Sequence, residues 1–190
     1  MKLDRILSYA KILLTKAVSP GDIAVDATLG NGHDTVFLAG LVGDTGKVYG
    51  FDIQDTAVQA AKDRLTQHGL LARTELFNQG HENILEVIPA NLRGKVTGAI
   101  FNLGYLPGSD KMIVTKADTT IAAIEQLLQL MAPEGIIVLV IYHGHPGGAE
   151  ERDALLDYCQ SLDQKTAHVL QYQFINQQNN PPFIVAIEKK

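Results

Sequence analysis

A single cysteine, Cys159, stands among 190 residues, so the chain can form neither an internal disulfide nor a thiolate metal cluster. It follows Leu155, Leu156 and Tyr158 on a predicted helix, which makes it a packing residue, with a nucleophile as the remote alternative. Positive charge is also scarce: 16 Lys and Arg stand against 21 Asp and Glu, a formal net charge of −5. That balance disfavours diffuse nucleic-acid binding and leaves only a local basic patch for such a partner. No stretch approaches the ~20 uninterrupted apolar residues of a membrane span. The opening Met1-Lys2-Leu3-Asp4-Arg5-Ile6-Leu7 carries charges within its apolar stretch, so a cytoplasmic location is expected. Low-complexity tracts and internal repeats are absent too. With 46% hydrophobic and 19% charged residues, the chain reads as one ordinary α/β domain over 1–190.

A further absence concerns glycine. In Asp26-Ala27-Thr28-Leu29-Gly30-Asn31-Gly32-His33-Asp34-Thr35 an apolar strand breaks into a turn and restarts as a helix, yet the third glycine of a G-x-G-x-x-G fingerprint is missing. Gly30 and Gly32 are therefore either a structural tight turn or a cofactor loop. Glycine there permits positive φ and lets a ligand approach the backbone, while the helix that follows offers free N–H groups. A second feature favours the cofactor: Gly46-Lys47-Val48-Tyr49-Gly50-Phe51-Asp52-Ile53 is a strand ending in an acid roughly 20 residues on, the spacing at which a carboxylate accepts both ribose hydroxyls. The competing role for Asp52 is a helix cap, for which Asp55 is the better placed residue. Together these point to a nucleoside ligand at the Thr28-Leu29-Gly30-Asn31-Gly32 turn and Asp52.

The rest of the chain alternates. Leu3, Ile6, Leu7, Ala10, Leu13, Leu14 and Ala17 recur at helical spacing until Ser19-Pro20-Gly21, a helix over 1–20 expected to cover the sheet or the cofactor mouth. A helix over 56–68 turns Ala57, Val58, Ala60, Ala61 and Leu65 inward, and a short strand follows over 73–77. The next loop carries Gly80, His81 and Glu82 at a carboxyl strand end, where open α/β sheets bind ligands; His81 is read as an adenine or ribose contact rather than an idle surface residue. A fourth strand over 95–104 delivers Asn102-Leu103-Gly104-Tyr105-Leu106-Pro107-Gly108, the best catalytic candidate, and a helix over 115–131 stops at Pro133-Glu134-Gly135. The apolar run 135–142 is a central buried strand leading to Tyr142, His143 and His145. The two histidines share a face and suit a metal in principle, but a third ligand is not evident without recruiting Asp110 or Glu150, so no metal is expected. A helix over 149–162 and strands over 168–175 and 183–188 end the chain, the strands pairing as an antiparallel hairpin around a polar loop, Asn176-Gln177-Gln178-Asn179-Asn180-Pro181-Pro182. The outline is a Rossmann-like, doubly wound, mostly parallel seven-stranded sheet.

Four blocks in order, the glycine turn from Val25, Phe101 to Gly108, Tyr142 to Gly148 and Asn176 to Pro182, resemble those of the YtqB/MnmM-type rRNA methylases along nearly the whole chain. The resemblance implies a class I S-adenosylmethionine-dependent methyltransferase acting on the aminomethyl group of 5-aminomethyl-2-thiouridine at the tRNA wobble position. It places Asn31, Asp34, Asp52, Gln54 and His81 at the cofactor. One departure stands out, since amine methyltransferases of the wider superfamily carry Asn/Asp-Pro-Pro-aromatic after the fourth strand and this chain has Asn102-Leu103-Gly104-Tyr105. The chemistry survives that change. An Asn oxygen and a backbone carbonyl can accept amine N–H groups, and Tyr105 can stack on the base, while Tyr142, His143 or His145 assist proton departure or base binding. A plain turn with a packed aromatic is the bland alternative. Competing functions are methylation of rRNA or of a small amine metabolite, and a cofactor-binding domain without turnover. The expected partner is the tRNA anticodon stem-loop, with a homodimer as a candidate assembly.

Overall fold

The computed structural model describes residues 2–105 and 114–190; Leu106, Pro107 and Gly108 of the fourth-strand turn, and Asp110, lie outside the described residues. The elements run α1 (Ile6–Ala17), β1 (Ile23–Asp26), α2 (His33–Val42), β2 (Lys47–Phe51), α3 (Asp55–Gln67), β3 (Thr74–Phe77), α4 (Ile84–Val87), β4 (Val96–Leu103), α5 (Ala117–Leu130), β5 (Met131–Ile141), α6 (Gly148–Ser161), β6 (Ala167–Tyr172) and β7 (Phe183–Lys189). They build one seven-stranded sheet of order β3-β2-β1-β4-β5-β7-β6. Strands β1 to β5 pair in parallel, and β7 runs antiparallel to both β5 and β6. The doubly wound sheet with its terminal antiparallel pair is thus present as expected.

Two-residue periodicity decides which side chain goes where. In β5, Ile137, Leu139 and Ile141 join a core with α5 and α6, whereas Ile136, Val138 and Val140 join one with α1 and α2. A strand buried on both faces needs an unbroken apolar run, and β5 has it between its partners β4 and β7. The order of the sheet reverses at β1, whose two neighbours are β2 and β4, so a crevice opens above its carboxyl end.

Several boundaries differ from expectation. α5 stops at Leu130 and β5 begins at Met131, which already pairs with Val96; pairing resumes at Ile136 after an irregularity. Pro133 has no N–H to give the ladder and Glu134 takes φ +64°, so this strand start bulges out of register. Leu3 and Leu7 are exposed, and α1 buries only Ile6, Ala10, Leu13 and Leu14. Strand β6 ends at Tyr172, leaving Ile175 in solvent. Asp55 makes no capping bond; Gln54 is the residue before α3.

Candidate active site

The crevice above β1 is a cleft of ≈ 910 Å³ with walls drawn from β1, β2, β4, β5 and the loops after them. Thr28, Gly30, Asn31, Asp34, Asp52, Gln54, Gly80, His81, Glu82, Asn102, Tyr105, Tyr142, His143 and His145 all line it. Gly32 does not. It sits behind the wall at φ +77°, where an added Cβ would lie 2.7 Å from the Ala61 Cα, so its work is the close approach of the glycine turn to α3.

Three carboxylates surround the β1 side. Asp26, fully buried, accepts the Thr35 hydroxyl at 2.6 Å and the Thr28 N–H at 3.2 Å. Burial first, and then the charge of Asp34, push its carboxyl up to about 7, with Asp52 adding to the rise. Asp52 accepts the Gly30 N–H at 3.0 Å on one oxygen and the Gln54 N–H at 2.9 Å on the other. It therefore ties the glycine turn to the end of β2 as well as facing the cleft. Each oxygen keeps a lone pair for a ribose hydroxyl. His81 is buried, its Nδ1 3.0 Å from the Ala27 carbonyl and its ring edge-on to Phe101. A carbonyl only accepts, so Nδ1 carries the proton, and burial holds the imidazole below its ordinary pKa. Nε2 is left as a buried acceptor without a partner among the described residues.

The β4 and β5 side is built differently. The Asn102 N–H donates to the Thr28 hydroxyl at 2.7 Å, and its amide nitrogen donates to Asp34 at 2.8 Å. Because the Asp34 carboxylate can only accept, it fixes which end of the amide it meets and leaves the Asn102 carbonyl oxygen as the acceptor. Tyr142 is 37% exposed; burial and the Asp34 charge raise its phenol pKa, so it stays a neutral donor. The two histidines separate. His143 is buried with Nε2 3.2 Å from the Pro181 carbonyl and Nδ1 3.4 Å from the Arg152 guanidinium, so both nitrogens are spent inside the protein. His145 gives Nδ1 to the Pro146 carbonyl at 3.0 Å, and its buried Nε2 has no partner among the described residues. The Tyr105 ring meets His145 edge-on at 6.0 Å.

A family model described as "Putative rRNA methylase" matches residues 48–188. The chain belongs to that family. A chloroplastic tRNA (mnm(5)s(2)U34)-methyltransferase of Arabidopsis thaliana is 33% identical over 189 residues, 95% of this chain and 68% of the plant protein. The crystal structure of a putative rRNA-methylase from Clostridium thermocellum matches over 100% of both chains with a TM-score of 0.96 and 42% identity. A putative methyltransferase from Streptococcus mutans in complex with SAH covers 99% of both chains, with a TM-score of 0.90 and 36% identity. This family member is an S-adenosylmethionine-dependent methyltransferase. Its cleft suits that cofactor chemically: Asp34 and Asp52 line it with Asp26 buried behind them, an acidic setting for a cationic ligand, and the unpartnered His81 Nε2 can accept from an adenine amine or a ribose hydroxyl.

The methyltransferase cleft also has walls that sequence patterns missed. Leu7 and Lys11 reach it from α1, Ile53 from the turn after Asp52, Thr115, Lys116 and Thr119 from the start of α5, and Asn180 from the polar loop. Leu7 and Ile53 carry one shared signal, since both are apolar yet exposed at 49% and 59% beside the cleft. Nothing in the local pattern marks Thr115. Among the described residues no group of three or more His, Cys, Asp or Glu is placed to hold a metal.

Proposed function

We propose that the protein methylates a primary amine, the aminomethyl group of 5-aminomethyl-2-thiouridine at the tRNA wobble position. The observation that carries this reading is the Asn102 amide, oriented by Asp34 so that its carbonyl oxygen is the free acceptor at the end of β4. An amine held by such an acceptor aims its lone pair away from the bonded N–H, which is the orientation that methyl transfer needs. The plant relative's named activity on mnm(5)s(2)U34 supports the same acceptor class.

When bound, S-adenosylmethionine supplies an electrophilic methyl group; Asp52, Gln54, Asn31 and His81 would hold it. The chain's own residues do the rest. An alkylammonium has no lone pair, so the acceptor must shed a proton first, and an amine of pKa roughly 10 has a minor neutral fraction at neutral pH that a desolvating pocket selects. His145 Nε2, with its lone pair unspent, is the acceptor of that proton, while His143 holds the Pro181 loop against α6. Held by Asn102 and relieved of its proton, the amine nitrogen would present its lone pair to the methyl group that the cofactor supplies, whose sulfur would keep the electron pair it had shared. Neither a hydroxide nucleophile nor a polarised carbonyl is needed, so turnover is metal-independent. Activity should survive chelator treatment, and activity lost to chelator but restored by zinc would overturn this point.

The test is mass spectrometry of tRNA nucleosides from cells lacking the gene, with the purified protein then added back. Accumulated 5-aminomethyl-2-thiouridine that the protein converts supports the proposal; an unchanged nucleoside profile refutes it. The acidic net charge favours a second acceptor class, a small amine metabolite. Salt separates the two, because phosphate contacts weaken steeply as salt rises and a small amine shows little dependence.

A further inference from the structure

Behind the β4 and β5 wall lies a buried carboxyl that the chemistry above leaves unused. Glu151, on the first turns of α6, is 6% exposed. The Thr115 hydroxyl lies beside its carboxyl and favours the charged form. The same Thr115 oxygen accepts the Gly104 N–H at 2.8 Å, and the Thr115 N–H donates to the Gly104 carbonyl at 3.0 Å. Both backbone groups of Gly104 are thus tied to Thr115, whose hydroxyl lies beside the Glu151 carboxyl. Gly104 is where the two strand ends meet: at φ +143° a Cβ on it would stand 3.3 Å from the Tyr142 Cβ and 3.6 Å from His145 Nε2.

One carboxyl oxygen, Oε1, is buried and has no hydrogen-bond partner among the described residues, as is also true of His145 Nε2. The two groups lie within electrostatic reach of each other. Burial raises the Glu151 carboxyl pKa above its ordinary range, against the pull of Thr115 and His145. A buried carboxyl with an unsatisfied oxygen weakens a fold, and an amide of the same shape would cost less there. Stability therefore does not account for its presence.

We propose that Glu151 is a positioning residue for methyl transfer: buried beside the Thr115 that holds the Gly104 turn, it supports the acceptor end of the cleft and puts negative charge near it. The proposal rests on the amine-acceptor reading above. A neutral amine gains little from a nearby carboxylate, whereas the nitrogen becomes cationic as its new bond forms. Once the acceptor has shed its proton, a fixed negative charge at that end thus favours the transition state over the complex of the neutral amine.

The experiment uses the full chain, S-adenosylmethionine and an anticodon stem-loop RNA carrying 5-aminomethyl-2-thiouridine, at pH 8. Glu151→Gln keeps the shape and removes the charge. It should bind the cofactor within about twofold of wild type by calorimetry, with KM for the RNA equally unchanged and a single-turnover rate lowered about tenfold or more. It should melt at the same temperature or higher, the opposite of what loss of a structural residue does. Glu151→Ala also leaves a cavity beside Thr115, so it should melt lower and react more slowly still. A Glu151→Gln rate within about twofold of wild type overturns the assignment, as does a fall in melting temperature matched by lost cofactor affinity. Wild-type protein that leaves the RNA unmethylated overturns both readings, whereas an active wild type with an equally active Glu151→Gln overturns that for Glu151 alone.

Discussion

Asp26 offers the sharpest test of the cofactor side. Its ordinary pKa of 3.8 rises to about 7 in the folded protein, through burial and then the neighbouring Asp34 charge. Below roughly pH 3 the carboxyl is neutral both folded and unfolded, and it costs nothing. As pH rises further, the unfolded chain ionises while the fold keeps its proton, so stability falls by about 1.4 kcal/mol for each step of one in pH until the folded pKa is passed. Over the whole interval between the unfolded and folded pKa values that loss reaches about 4 kcal/mol, of which roughly 2.5 kcal/mol accrues between pH 5 and pH 8. Asp26→Asn removes the titration while its amide can still meet Thr35 and Thr28. Chemical denaturation of both proteins without cofactor should show the variant gaining on wild type by that amount from pH 5 to pH 8. An equal difference at both pH values would falsify the argument. The same logic makes a bound sulfonium favour ionised Asp26, so S-adenosylmethionine should release protons on binding near neutral pH, visible by calorimetry in two buffers.

Asp52→Asn leaves one oxygen for two backbone donors, because the amide nitrogen must face either Gly30 or Gln54. Cofactor affinity should fall about 10- to 100-fold, some 1.4 to 2.8 kcal/mol, and unchanged affinity by calorimetry removes Asp52 from the site. Asn102→Ala should lower kcat about 10- to 100-fold while cofactor affinity moves less than about threefold; full activity on aminomethyl-thiouridine tRNA sinks its assignment. The histidines should part company: His143→Ala loses two internal bonds and about 1 to 3 kcal/mol of stability, whereas His145→Ala keeps its melting temperature and loses turnover. The reverse pattern would exchange their roles.

What could be read in advance was what periodicity and turn chemistry carry. The apolar run of β5 announced a central strand, and the Gly30-x-Gly32 turn with Asp52 downstream marked the crevice at β1. What could not be read depends on where separate elements land. His143 and His145 are equivalent in sequence; Arg152 from α6 and Pro181 from the polar loop make them different. Asp52 reads as a ligand residue, yet half its work is to hold Gly30, a bond spanning 22 positions. The start of β5 was misplaced because Pro133 ends a helix and bulges a strand equally well, and only pairing with Val96 shows that the strand has already begun. Glu151 carries no local signal, since a carboxylate early in a helix is ordinarily an exposed favourable charge at the dipole.

The distribution of charge across the cleft now bears on rate as well as on affinity. Three full negative charges around the cofactor would hold the cationic ground state tightly and oppose the movement of positive charge towards the acceptor, since uniform or ground-state binding does not lower a barrier. Asp26 moderates that end: with its carboxyl pushed up to about 7 it is only partly charged at neutral pH, and Asp52 divides its oxygens between two backbone amides. Asp34 is different, because it bonds Asn102 at 2.8 Å and so stands between the cofactor side and the acceptor side. With the proposed Glu151 charge behind Gly104, the negative potential then deepens in the direction in which the positive charge travels. Asp26→Asn and Glu151→Gln should therefore differ in kind, the first acting mainly on cofactor affinity and its pH dependence, the second on the rate of the bound complex. Asp26 bonds Thr28 and Thr35, neither of which meets Glu151, so the effects of the two substitutions on single-turnover free energy should add within about 0.5 kcal/mol. Strong coupling between them would mean that both charges act on the same step, and the division of the cleft into a cofactor end and an acceptor end would be wrong.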